Sequence, residues 1–243
     1  MSVVAILSDI HANLPALEAV LDDADNLECE KIWSLGDQVG YGGSPNKCLD
    51  LLRERDAVCV MGNHDAAVVN LEDVRWFNSN ARAAVEWTRL NLTGENLEYL
   101  VGLPDSRVVH GHHLLVHGAP DNRSRYLLPG VDLFNEACLL EASGVAEMCF
   151  YGHTHLPMVS NQEKTWQGSA GMVDLSADGP YFINPGSVGQ PRDNNPNAAW
   201  LLLDTVTRRI EFHRVAYDIE RAESLIHAAG LPGRLAERLG CGQ

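Results

Sequence analysis

The chain has 243 residues, with 33 Asp+Glu against 18 Lys+Arg and a formal net charge of −15. This length suits one large domain or two small ones, and an ordinary content of 45% hydrophobic and 21% charged residues excludes a disordered chain. The acidic balance argues against a stable nucleic-acid complex or an anionic membrane surface, which basic faces hold, but leaves anionic small substrates open because bound cations reverse the local field.

Val3–Leu7 reads as a short buried strand. It has no basic flank and an Asp soon after, so it is neither a signal peptide nor a membrane span. Leu14–Asn26 is a helix opened by Asn13 and Pro15, and Lys31–Leu35 is a second strand. Ser44–Arg55 is a helix with Ser44 as N-cap and Pro45 as first helical residue, followed by a strand over Ala57–Met61. Strand–helix–strand at this spacing predicts right-handed parallel units. Asn63 to Leu100 is helix-rich, with helices over Asn80–Asn91 and, capped by Thr93, over Glu95–Val101. Strands follow at Ser106–Val109, Leu114–His117, Met148–Tyr151, Leu156–Ser160, Gly171–Leu175, Tyr181–Asn184, Ala198–Asp204 and Arg209–Ala216. A helix over Asp218–Gly230 ends the chain. The six cysteines form no C-x-x-C pair and read as buried free thiols in a reducing cytoplasm. The simplest architecture is α/β, two packed sheets with helices outside, in one domain over 1–243.

Chemistry-bearing residues gather where strands end. Ser8-Asp9-Ile10-His11, Gly36-Asp37, Gly62-Asn63-His64-Asp65, Val116-His117-Gly118 and Gly152-His153-Thr154-His155 each follow a predicted strand. Loops beyond the carboxyl ends of strands converge on one crevice. Asp, Asn and His delivered from so many loops make a metal-site composition with ligands enough for two ions. Asp9 and His11 are two apart, as are His153 and His155, so an extended exit points both side chains of a pair the same way. Glycines beside Asp37, Asn63, His117 and His153 let backbones turn sharply or approach closely. Mixed carboxylate, imidazole and amide ligands suit divalent Mn, Fe, Zn, Ni or Co better than calcium.

D-x-H, G-D, G-N-H-D, V-H-G and G-H-T-H in this order resemble the calcineurin-like metallophosphoesterase superfamily, and Asn184-Pro185-Gly186-Ser187 resembles the N-P-G-S turn of its small bacterial phosphodiesterase and phosphatase branch. The resemblance implies a four-layer α/β/β/α sandwich of two mixed β-sheets flanked by helices. It implies a first metal held by Asp9, His11 and His155, a second held by Asn63, His117 and His153, and Asp37 bridging both. It further implies in-line attack on phosphorus by a metal-bridging hydroxide, with His64 as general acid for the leaving oxygen and Asp65 hydrogen-bonded to its other ring nitrogen. Asp37-Gln38-Val39-Gly40-Tyr41 lacks the Asp-Arg pair of the G-D-x-x-D-R-G found in protein phosphatases, so the implied substrate is a small phosphate ester or nucleotide.

Other residues are read two ways. Asn13 either reaches the first metal or caps its helix. Tyr41 borders the pocket or packs its loop, and Arg192 clamps a phosphate or makes a surface salt bridge. Asn78 and Arg82 read as a cap and an exposed cation at the start of a helix. His110, His112 and His113 read as solvated imidazoles in a hairpin turn, and His213 and His227 as surface residues. The Gly36–Gly43 loop has neither the Lys-[Ser/Thr] nor the spacing of a nucleotide loop. The rival to a hydrolase is a non-catalytic metal-binding scaffold in a protein assembly; members of that kind typically lack the His of G-N-H-D, which is kept here as His64.

Overall fold

Alternation along the strands sorts side chains into an inner and an outer core. In the computed structural model, residues 3–168, 170–175 and 180–243 are described. In chain order the elements are β1 (Val3–Leu7), α1 (Leu14–Asn26), β2 (Lys31–Ser34), α2 (Pro45–Glu54), β3 (Val58–Cys59), α3 (Asn63–Val68), α4 (Ser79–Asn91), α5 (Gly94–Val101), β4 (Ser106–Val109), β5 (His113–Val116), α6 (Val131–Ser143), β6 (Met148–Phe150), β7 (Met158–Ser160), β8 (Thr165–Gln167), β9 (Gly171–Asp174), β10 (Tyr181–Asn184), β11 (Ala198–Asp204), β12 (Arg209–Val215), α7 (Ile219–Ala228) and α8 (Arg234–Glu237). One sheet has the order β3-β2-β1-β11-β12-β9 and the other β4-β5-β6-β10-β7-β8. In the first, β1, β2 and β3 run parallel while β11, β12 and β9 are antiparallel; in the second, β5, β6 and β10 are the parallel strands.

Val4 and Ile6 of β1 point between the sheets, with Trp33, Leu115, Phe150, Ile183 and Leu201. Ala5 and Leu7 point the other way, onto Leu17, Val20 and Leu21 of α1 and Cys48 and Leu52 of α2. The outer face of the second sheet, through Val116, Cys149, Tyr151 and Phe182, is covered by Leu133, Ala137 and Leu140 of α6. The layers are therefore helix, sheet, sheet, helix, and burial of each large apolar side chain contributes on the order of 2 kcal/mol.

The helix entries follow the sequence cues. Asn13 caps α1 by accepting from Ala16 N–H, and Pro15 and Pro45 each stand in a first helical turn. Ser44 holds its N-cap position without a side-chain hydrogen bond. Asn78 caps α4 and Thr93 caps α5. Three elements fall outside the expected set, the first being α8, which follows α7 so that the helix after Asp218 does not end the chain. Helix α6 carries Leu133, Ala137 and Leu140 at helical spacing, and β8 is a three-residue edge strand beside β7. Several strands are shorter than expected because their ends leave the ladder for the site; Met61 N–H donates to the carbonyl of Pro104. His113 is a correction. It is buried in β5 against Trp33 and Phe150, with neither ring nitrogen hydrogen-bonded, whereas His110 and His112 are exposed. His213 is half-buried and stacked on Trp200, while His227 is exposed. All six cysteines are unpaired, but only Cys48, Cys59 and Cys149 are buried; Cys29 and Cys138 are half-buried and Cys241, near the end of the chain, is exposed. Among the described residues, no helix is long and apolar enough to cross a membrane.

Candidate metal centre

The carboxyl ends of β1, β2, β3, β5, β6 and β10 open on the same side and deliver their loops to one place. Asp9, His11, Asp37, Asn63, His64, Asp65, His117, His153 and His155 are all buried. They arrive by a different backbone route from the one predicted. Asp9, His11, Asp37, His153 and His155 have φ between 50° and 64°, so the exits coil through left-handed conformation instead of running extended. Each such non-glycine residue costs about 1 kcal/mol or more, a strain held by the surrounding packing.

Glycines permit the close approach. A Cβ on Gly62 would stand 2.0 Å from Asp37 Oδ1, and one on Gly152 1.9 Å from Ser8 Oγ. The N-P-G-S turn after β10 is a brace for these loops. Asn184 donates to the Gly152 carbonyl at 2.8 Å and to Thr154 Oγ1 at 3.0 Å, and Ser187 Oγ donates to the Asp9 carbonyl at 2.8 Å.

Backbone carbonyls orient the imidazoles. His11 Nδ1 donates to Val39 O at 3.3 Å, His117 Nδ1 to Leu35 O at 2.8 Å and His155 Nδ1 to Gln190 O at 2.5 Å. Each leaves its Nε2 facing inward. His153 is reversed, with Nε2 donating to Ser124 O at 3.2 Å and Nδ1 left free. The carboxylates are likewise half-occupied. Asp9 Oδ2 accepts from Ser8 Oγ at 2.7 Å and from His153 N–H at 3.0 Å, while Oδ1 is buried with no hydrogen bond. Asp37 Oδ1 accepts from His64 N–H at 2.8 Å, while Oδ2 lies 3.7 Å from His11 Nε2 and 3.3 Å from His117 Nε2.

These inward atoms fit divalent cations and little else. His11 Nε2 and His155 Nε2 are 3.3 Å apart, two lone pairs aimed at one another beside the orphaned Asp9 Oδ1, which is 3.2 Å from His155. Around His117 Nε2 stand Asn63 Oδ1 at 3.1 Å, Asp37 Oδ2 at 3.3 Å and Asp9 Oδ1 at 4.0 Å. Burial lowers the His117 pKa, but Asp37 and then Asp9 outweigh it and hold it up at about 9, so without a cation the oxygens draw in a proton. Burial keeps His11 and His155 below the usual imidazole range and His153 at about 3, so these rings stay neutral and able to ligate. Asp9-His11-His155 and Asp37-His117-His153 form two adjacent triads, linked by His11-Asp37-His64, and together they make a dinuclear metal site.

His64 stands beside this pair. Its ring meets Tyr41 at 4.4 Å, Phe77 at 4.8 Å and His11 at 4.9 Å between centroids, and its Nδ1 is buried without a partner. Burial first, with Arg192 assisting and Asp37 opposing, brings its pKa down to about 4. The expected Asp65–His64 hydrogen bond is absent, a correction with a clear cause. Asp65 Oδ1 accepts from Val39 N–H at 3.1 Å and Oδ2 from Gly62 N–H at 2.9 Å. Asp65 therefore binds the β2 and β3 exit loops together, as a capping carboxylate at the first turn of α3.

Tyr41 and Arg192 line an open cleft of about 320 Å³ above Asp37, Asn63, His64, His153 and His155. Arg192 donates to Gln190 Oε1 at 3.1 Å, and its Nε is buried without a partner. Asn13 is turned away from it, because its amide donates to the Gly189 carbonyl and Tyr217 Oη while its oxygen caps α1. Sequence reasoning missed Glu72, Trp76, Phe77 and Tyr126 in the cleft wall. It also missed the carbonyls of Leu35, Val39, Ser124 and Gln190, which no side-chain motif reveals.

Comparison with known proteins agrees with this geometry. The chain is 37% identical to a metallophosphoesterase from Sphaerobacter thermophilus, whose crystal structure superposes with a TM-score of 0.86 over 100% of this chain and 99% of that one. It is 38% identical to an uncharacterized protein of Methanocaldococcus jannaschii over 100% of this chain and 99% of that protein. It is 26% identical to the phosphodiesterase YfcE of Escherichia coli over 81% of this chain and 84% of that protein. Residues 1–208 match the family described as the calcineurin-like phosphoesterase superfamily domain, and by that match and these full-length relatives the chain belongs to this superfamily.

Proposed function

We propose that this chain hydrolyses phosphate esters of small molecules, as a phosphodiesterase or nucleotide phosphatase of the cytoplasm, and that residues 1–243 act as one metallophosphoesterase domain. The observation that carries the reading is Asp37, whose free Oδ2 faces both His11 and His117 while its other oxygen is tied to the chain. Asp9, His11 and His155 would hold one ion, Asn63, His117 and His153 the other, and Asp37 both. The mixed imidazole, carboxylate and amide donors suit manganese, iron, zinc, nickel or cobalt, and manganese is the ion proposed. Two bound cations supply an activated water at neutral pH and neutralise charge on phosphoryl oxygens.

The remaining work falls to the chain. His64 lies against the centre at the floor of the cleft and serves as general acid, offering an N–H to the leaving oxygen. Arg192 brings a cation to the same cleft and holds a phosphoryl oxygen. The relation to YfcE, named a phosphodiesterase, supports a diester substrate.

The test supplies metal-free protein with manganese, counts bound metal, and compares a chromogenic monoester with a diester. Two ions per chain with turnover of either ester is the expected result. Two ions with no turnover of either would make the chain a metal-binding scaffold.

A further inference from the structure

The cleft has an aromatic wall that the metal chemistry does not use. Tyr126 stacks on His153 at 4.0 Å and 31°, and Phe77 meets His64 edge-on at 4.8 Å and 76°. Tyr41 also lies against His64. Each of these rings is occupied in packing an imidazole of the site. Trp76 lines the same cleft yet is 85% exposed, and its indole has no ring or hydrogen-bond partner among the described residues. It is not held loosely. Its backbone sits in a short 3₁₀ turn over Val74–Trp76, capped by Asp73, whose carboxylate accepts from Arg75 N–H at 2.9 Å and from the Arg75 guanidinium.

Glu72 lies in this wall too, with its carboxylate unpartnered among the described residues. A bare carboxylate accepts from hydroxyls and amino groups and repels phosphate. The cleft is therefore lined by a cation, Arg192, and metal ligands together with a free indole and a free acceptor. A planar, hydroxyl- and amine-bearing group attached to a single phosphoryl centre matches that arrangement, and a polyphosphate chain does not.

We propose that Trp76 is a stacking platform for the base of a nucleoside ester and that Glu72 accepts from the ribose or the base. This rests on the phosphoesterase reading above. Stacking a base on an indole is sequence-tolerant, so purine and pyrimidine esters both qualify.

The experiment compares esters that differ only in a base or nucleoside, on manganese-loaded protein. Adenosine 5′-monophosphate is paired with ribose 5-phosphate, and thymidine 5′-(p-nitrophenyl phosphate) with methyl p-nitrophenyl phosphate. The wild-type chain should favour the nucleoside member in kcat/KM. Trp76→Ala should bring that preference down about tenfold, and Trp76→Phe should keep most of it. Equal kcat/KM within the pairs for the wild type, or an unchanged preference in Trp76→Ala, overturns the proposal. Calorimetric titration of adenosine into the metal-free chain separates the two readings. Binding lost in Trp76→Ala supports the platform even where no ester is turned over, a result that would sink the phosphoesterase reading instead. Binding indifferent to Trp76 counts against the platform even where esters are hydrolysed.

Discussion

The backbone N–H of His64 donates to Asp37 Oδ1 at 2.8 Å, so the buried imidazole at the cleft and the carboxylate between the two metal triads are fixed to each other. The bond takes one Asp37 oxygen out of competition and turns the other toward His11 and His117.

Asp37→Asn tests that arrangement. The substitution removes the charge that both triads face. Both metals should be lost together, with affinity falling beyond the roughly 10–100-fold typical of removing a group outside the ligand set. Metal analysis after gel filtration gives the count, and loss of one ion with full retention of the other would show that Asp37 does not bridge.

His64→Ala should leave metal content near two per chain and lower kcat by about 10²–10⁴-fold, the usual contribution of a positioned acid or base. Loss of both ions in this variant would make His64 a structural residue.

Gly40 has φ +91°, and a Cβ there would stand 2.4 Å from His64 Nδ1. Gly40→Ala should therefore displace the His64 ring and reproduce much of the kcat loss of His64→Ala with metals retained. Wild-type kcat in this variant would mean that the ring's position does not matter to turnover.

Asp65→Ala should act on the fold. It strips acceptors from two buried N–H groups, those of Val39 and Gly62, at about 1–3 kcal/mol for each group left unsatisfied. Urea unfolding should show that loss in the metal-free protein, where no ligand binding obscures it. An unchanged midpoint would mean that these two bonds do not hold the loops together.

The metal-free chain should lose stability as pH rises from about 7 to 9. His117 titrates in the folded state at about 9, above its ordinary imidazole value, so its stabilisation is complete below the unfolded pKa and disappears as pH rises through the folded one. That loss is on the order of 3 kcal/mol. Manganese should flatten most of the slope, because the ion takes the proton's place between the same oxygens; the remainder near pH 9 belongs to the thiols of Cys29, Cys48, Cys59 and Cys149, which burial also pushes up. Thermal melts at pH 7, 8 and 9, with and without manganese, measure it, and a flat metal-free profile would refute a protonated His117.

The sequence by itself determined which residues gather at the site and where most strands lie. Asp9, His11, Asp37, Asn63, His117, His153 and His155 each follow a short apolar run, and that pattern survives translation into three dimensions because strand ends must empty into loops at one edge of a sheet. Helix starts at Pro15, Pro45 and Thr93 were legible for the same local reason, since a cap or a ring-locked φ acts within one turn. Helix α6 carried a helical period through Leu133, Ala137 and Leu140 that was there to be found.

Only the tertiary structure decided the rest. His113 and His117 belong to the same segment, yet one packs dry against Trp33 and Phe150 while the other turns its Nε2 toward Asp37, because a strand buries one end of itself in the core and opens the other on the crevice. Asp65 and His64 are neighbours that look like a pair, but the N–H groups of Gly62 and Val39 hold the carboxylate at close range. Asn13 is turned away by Gly189 and Tyr217, which lie 176 and 204 residues along the chain. The free indole of Trp76 has no motif at all. These outcomes depend on which distant backbone groups reach a side chain first, and long-range packing alone sets that competition.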